Sequence, residues 1–163
     1  MAYEFNSDEM FDVAIRIEEN GGRFYRKAAE LQTDQQNREM LEKLASMEDH
    51  HKLTFETMKR DLSEAEKHST VFDPLGESAL YLSAMADSHG GEGNPTVADS
   101  LTGEESITDI IGIAIGLEKE SILFYLGLKD MVPPKYGQDR LDQIMREERK
   151  HVIQLHAFRK KLQ

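Results

Sequence analysis

The sequence repeats itself at a shift of 100 residues, and a glutamate stands at the centre of each copy of the repeat. Ala14, Ile15, Glu18, Phe24 and Tyr25 recur as Ala114, Ile115, Glu118, Phe124 and Tyr125. Leu41, Leu44, Glu48 and His51 recur as Leu141, Ile144, Glu148 and His151. Two copies of one unit, each with a face to bury, are expected to pack about a pseudo-two-fold axis.

Each unit reads as a pair of helices, because apolar residues recur at a 3.6-residue period with almost no strand signal. The four segments run from about Ser7 to Leu31, Thr33 to Ala65, Glu105 to Met131 and Gln138 to Leu162. Thr33 and Gln36 have capping-box spacing at the start of the second. Pro133 and Pro134 stop the third. In the crossover, residues 66–104, His68–Asp73 reads as loop. Leu75, Ala79, Leu82 and Ala86 predict a short helix over Leu75–Asp87, and Ser88–Pro95 reads as flexible chain. Hairpin, long crossover, hairpin is the connectivity of an all-α, ferritin-like four-helix bundle, here expected as one domain over residues 1–163.

The inner stripe of the second segment is Leu41, Leu44, Glu48, His51, Phe55, Met58 and Leu62. That of the fourth is Leu141, Ile144, Glu148, His151, Leu155, Phe158 and Leu162. The first carries Phe11, Ala14, Glu18, Gly21, Tyr25 and Ala28, and the third Ile111, Ala114, Glu118, Ser121, Tyr125 and Leu128. These spacings make a bundle seam. Glu18 and Glu48 lie 15 residues either side of Thr33, and Glu118 and Glu148 lie 15 either side of Pro133. Residues equidistant from the turn of an antiparallel hairpin lie side by side. All four carboxylates and both imidazoles are therefore expected in one layer of the core.

Each unpaired buried ion costs several kcal/mol, and no Lys or Arg shares the stripes. Two divalent cations would balance four carboxylates with two neutral imidazoles. Hard oxygen donors with one imidazole per metal suit iron or manganese, and zinc also fits the set. One Glu from each of two helices and Glu-x-x-His from each of the other two is the ligand pattern of di-iron bundles.

Composition narrows the function further. There is no cysteine, which excludes disulfides, thiol catalysis and cysteine-ligated iron. A formal charge of −11 disfavours nucleic acid as a partner. No apolar run is long enough for a membrane span, and the first residues lack a signal-peptide core, so a cytoplasmic location is expected.

Tyr25 and Tyr125 lie two turns beyond Glu18 and Glu118. Core packing and hydrogen bonding to a ligand carboxylate both suit them, and the two are compatible. Gly21 and Ser121 are small where a ligand needs room, although helix packing alone explains Gly21. His50, His68, His89 and His156 read as solvated. Glu19, Glu120 and Glu147 adjoin the stripe residues but face neighbouring sides. Glu147 is a candidate to orient a histidine across the bundle.

The first segment (Ala-Ile-Arg-Ile-Glu-Glu-Asn-Gly-Gly-Arg-Phe-Tyr) and the third (Ala-Ile-Gly-Leu-Glu-Lys-Glu-Ser-Ile-Leu-Phe-Tyr), with Glu48-x-x-His51 and Glu148-x-x-His151, resemble the rubrerythrin family over nearly the whole chain. The resemblance implies a centre of two iron ions that reacts with peroxide or dioxygen in oxidative-stress protection. In it, Glu18 with His51 holds one iron, Glu118 with His151 holds the other, Glu48 and Glu148 bridge, and Tyr25 and Tyr125 stand just outside. It further implies a homodimer, sometimes with exchanged helices. Two positions depart from the family. The cysteine-ligated rubredoxin module is missing, so the electron donor is expected to be a separate redox protein or small molecule. The family's peroxidases also carry a second Glu one turn before the third-helix ligand, where Ile115 stands here. Ferritin-type iron oxidation and handling, and a non-enzymatic metal-binding module, remain as alternatives.

Overall fold

The computed structural model describes residues 7–62, 76–88, 96–132 and 137–163. Its elements are α1 (Ser7–Glu30), α2 (Gln35–Asp61), α3 (Glu77–Ser88), the one-turn α4 (Val97–Ser100), α5 (Ile107–Met131) and α6 (Gln138–Lys161). α1 packs along α2 and α5 along α6, forming the two hairpins. α1 meets α5 and α2 meets α6 across the bundle, α3 lies on α5, and α4 lies on α1.

Local chemistry sets where the helices begin. α2 starts one residue later than Thr33 would place it, because Asp34 is the N-cap and accepts from the Asn37 amide at 2.9 Å. A carboxylate at this end also meets the positive pole of the helix dipole. The Thr33–Gln36 capping box is not used. α5 begins at Ile107 rather than Glu105. Ser106 and Asp109 form a reciprocal capping box there. Glu105 instead accepts from the amides of Thr102 and Gly103, which holds it in the preceding turn. α4 was not expected, although Thr96 and Asp99 carry the same capping spacing.

The far ends differ as well. α2 closes at Asp61 with Leu62 as its cap. α3 covers Glu77–Ser88 where Leu75–Asp87 was expected, with Leu82 fully buried. On α6 the buried stripe ends at Leu155, while Phe158 is half-buried and Leu162 is 43% exposed. The last turn of α6 is Arg159, Lys160 and Lys161, which favours solvent and the negative helix pole. Residues 1–6 and 63–75, including His68 and Leu75, lie outside the described residues, as do His89–Pro95, Pro133 and Pro134. Among the described residues no helix is long and apolar enough to cross a membrane.

The core has two apolar clusters. One gathers Phe11, Phe55, Met58, Leu82, Phe124, Leu128 and Leu141. The other gathers Phe24, Leu41, Leu44, Ile110, Ile111, Ala114 and Leu155. Between them runs a buried polar layer of Glu18, Glu48, His51, Glu118, Glu148 and His151, none more than 5% exposed.

The crossover docks on the second hairpin at Gly127. A Cβ there would stand 2.6 Å from a ring carbon of Tyr81 and 3.2 Å from a Leu82 methyl. The Tyr81 hydroxyl also donates to the Leu123 carbonyl at 2.8 Å. Gly127→Leu is expected to lift α3 from α5. Amide hydrogen exchange should then accelerate across residues 77–88 while α1, α2 and α6 keep their protection.

Candidate metal centre

Each of the four long helices contributes its middle to the polar layer. Glu18 comes from α1, Glu48 and His51 from α2, Glu118 from α5, and Glu148 and His151 from α6. Their donor atoms form two overlapping groups, Glu18–Glu48–His51–Glu148 and Glu48–Glu118–Glu148–His151, each with its atoms within 4.8 Å of one another. Glu48 and Glu148 belong to both groups. The six residues that share one height in the sequence thus share one layer in the structure.

Both imidazoles turn Nδ1 into the layer. His51 Nδ1 lies 3.1 Å from Glu148 and 3.5 Å from Glu18. His151 Nδ1 lies 2.9 Å from Glu148, 3.3 Å from Glu118 and 3.5 Å from Glu48. The rings stack with centroids 5.7 Å apart at 22°. Several of these atoms are close without being aligned as hydrogen bonds. Oε2 of Glu18, Oε1 of Glu48, Oε2 of Glu148 and Nδ1 of His51 are buried with no hydrogen-bond partner. Buried polar atoms are nearly always paired. Lone pairs that converge on shared space without pairing fit a pair of cations. Four carboxylates and two imidazoles match the oxygen-rich preference of iron or manganese.

Tyrosines hold the layer from both sides. The Tyr25 hydroxyl donates to Glu118 Oε1, and the Tyr125 hydroxyl donates to Glu18 Oε1. Each tyrosine thus reaches the glutamate of the opposite hairpin. A helical side chain leans towards its own N-terminus, so a tyrosine two turns along returns its hydroxyl to the glutamate layer. Both rings are also core residues, at 1% exposure or less. Packing and carboxylate hydrogen bonding therefore hold together, but the crossing between hairpins was not visible in the spacing.

Burial and mutual repulsion shape the electrostatics. Burial, then the charge of Glu48, push Glu148 up to about 8. Burial, then Glu18, push Glu48 well up, and burial with Glu148 raises Glu18. Burial raises Glu118 too, but its bonds with His151 and Glu148 outweigh that and hold it low. Burial alone would lower both imidazoles. Glu148 and Glu18 push His51 up to about 12, and Glu118 and Glu148 do the same for His151. Burial, then Glu118 and Glu18 respectively, push Tyr25 and Tyr125 well above the usual phenol, so both remain donors. Without cations the layer is neutralised by protons.

Around this layer, His50 and His156 are exposed as expected. Glu19 pairs with Lys52 at 2.5 Å on the surface. Glu147 does reach across the bundle, its Oε2 lying 2.9 Å from His51 Nε2. Ser121 donates to the Leu117 carbonyl of its own helix. Gly21 has a role beyond helix packing. A Cβ there would lie 3.3 Å from Glu48 Oε2, and its three nearest neighbours are all Glu48 side-chain atoms. Ile115 is 9% exposed and packs into the second apolar cluster, so that position adds no carboxylate.

Two predictions follow from this geometry. Protons on His51, His151 and Glu148 compete with cations, so metal affinity should rise with pH. Each proton displaced should contribute about tenfold per pH unit. The slope should ease above pH 8, where Glu148 is already ionised in the free protein. Isotherms at several pH values with proton release in weak buffer check both points; a pH-independent affinity would oppose them. Separately, Gly21→Ala should stabilise the metal-free protein by up to about 1 kcal/mol through helix propensity. The same change should weaken metal binding by crowding Glu48. Thermal unfolding with and without metal separates the two effects.

Searches against protein-family profiles and against curated proteins give no match. Among solved structures, the chain is similar to a protein of Thermotoga maritima provisionally assigned as a ferritin-like diiron-carboxylate protein. The two are 22% identical, with a TM-score of 0.74 over 100% of both chains. The likeness shows the fold, a ferritin-like helical bundle.

Proposed function

We propose that this protein is a non-haem di-iron oxidoreductase that reduces hydrogen peroxide or dioxygen with electrons from an external donor. The observation that carries the reading is the pair of overlapping donor groups sharing Glu48 and Glu148 in a buried layer. Glu18 and His51 would hold one iron, Glu118 and His151 the other, and Glu48 and Glu148 both. Held there, two ferrous ions would supply Lewis acidity and two electrons towards an O–O bond. The chain's residues prepare that chemistry. The apolar clusters on either side exclude bulk water. Tyr25 and Tyr125 fix the orientation of Glu118 and Glu18 and keep their own protons at the edge of the layer. These 163 residues hold no cysteine and so no cysteine-ligated iron, and in this reading the electrons come from a redox group outside them.

Ile115 favours a second reading. The rubrerythrin-type peroxidases that the sequence resembles place a carboxylate there, and here the position is apolar and buried. A six-residue set also suits ferritin-type oxidation of ferrous iron that then moves on.

The deciding experiment loads the protein anaerobically with ferrous iron, counts the metal, and adds peroxide. We expect about two irons per chain, a near-ultraviolet oxo-bridged absorption within seconds, and repeated cycles when a reductant is supplied. Glu148→Ala should lose both irons and the response. Loading far beyond two irons with no reductant-driven cycling would support iron handling instead. Two irons inert to peroxide and dioxygen would overturn the redox reading.

A further inference from the structure

The repeat makes the two halves of the centre nearly alike, and one pair of positions breaks the likeness. His51 and His151 are equivalent, and both turn Nδ1 into the layer. Behind His51 stands Glu147, which accepts from Nε2 at 2.9 Å. The position equivalent to Glu147 is Met47. Among the described residues no such acceptor stands behind His151, whose Nε2 is buried without a hydrogen-bond partner. Glu147 is itself held by the Gln143 amide at 3.1 Å, whereas the counterpart of Gln143 is Lys43.

A surface cleft also comes up to the His51 side of the layer. Between α2 and α6 lies a cleft of about 410 Å³ lined by His50, His51, Thr54, Arg140, Gln143 and Glu147, among others. His51 and the Glu147 carboxylate line this cleft together, with Glu147 the more exposed of the two. A second cleft lies further along the same groove, lined by Met40, Leu44 and Phe158, and its lining does not include His151.

A carboxylate behind a ligating histidine fixes the ring, selects the tautomer and raises the basicity of the other nitrogen. We propose that Glu147 is a positioning residue that makes the halves of the centre unequal, so that the His51 half takes up a divalent cation first and more tightly. The proposal rests on the two-cation reading of the layer. Glu147 orients the His51 ring so that Nδ1 faces Glu18 and Glu148. It also places a negative charge in the cleft beside His51. The His151 half must order its ring without such an acceptor, so it fills second.

The test is an anaerobic titration of the metal-free protein with Co2+, read by visible d–d absorption and calorimetry. The wild type should bind two ions in two resolved steps. Glu147→Ala should weaken the first step by about 10- to 100-fold, the usual effect of removing such a partner, and leave the second in place. Glu147→Gln keeps an acceptor without the charge and should fall between. Met47→Glu supplies the missing partner and should draw the second step towards the first. Glu147 is 24% exposed, so its variants should fold, and circular dichroism of the metal-free proteins checks this. Two wild-type steps that Glu147→Ala leaves unchanged, or shifts equally, would overturn the inference while leaving the metal centre standing. A wild type that binds no Co2+, Mn2+ or Fe2+ would overturn the metal reading beneath it.

Discussion

Four carboxylates buried in one layer of a small helical bundle constrain everything around them. A domain of this size is stable by only about 5–15 kcal/mol, and one uncompensated buried ion costs several of those. The layer must therefore be neutralised in every state the protein occupies. Without cations, the imidazoles pushed up to about 12 and a glutamate pushed up to about 8 hold protons. With cations, those protons would leave and the metal charges would take their place. The apolar clusters on either side keep water from doing the same work, so the layer is under constant demand for positive charge.

The layer also joins the halves of the molecule. Within each hairpin the helices pack along their length, but across the bundle α1 with α5 and α2 with α6 meet less extensively. The looseness between α2 and α6 is visible in the clefts there, one of them lined by Leu53, which is 59% exposed. Much of the polar contact at the centre crosses from one hairpin to the other. Tyr25 bonds Glu118, Tyr125 bonds Glu18, His51 lies against Glu148, and His151 lies against Glu48. The site is thus a structural seam as well as a chemical one. Burying charge is costly, but crossed hydrogen bonds fix which hairpin face meets which, a known use of buried polar groups.

Much of this was legible in the sequence because the repeat fixes register. Equal distances from the two turns brought Glu18 level with Glu48 and Glu118 level with Glu148, and the helical period put all of them inside. What escaped was set by single local contacts. Asp34 took the cap from Thr33 because a carboxylate satisfies the Asn37 amide and the helix dipole together. Glu105 stayed outside α5 because its carboxylate holds a turn. Leu162 is exposed because α6 closes at Lys161 and leaves it as the cap, an end that periodicity along one helix does not reveal. The role of Gly21 depends on where the Glu48 carboxylate comes to rest, a distance across the hairpin that spacing cannot give.

The differences between the copies are as informative as the likenesses. Positions that face the centre are kept in both, namely the four glutamates, the two histidines and the two tyrosines. Positions one step outward have diverged. Gly127 admits α3 against the second hairpin, where the first has Lys27. Gly21 leaves room for Glu48, where the second half has Ser121. Glu147 backs His51, where Met47 stands in the other copy. The inner layer obeys charge balance, which is indifferent to which half supplies a carboxylate. The outer layer decides which face is covered, which glutamate has room and which histidine is held. A pseudo-symmetric core inside an asymmetric shell is what a centre requires if its two positions are to offer like donors and yet be filled in order.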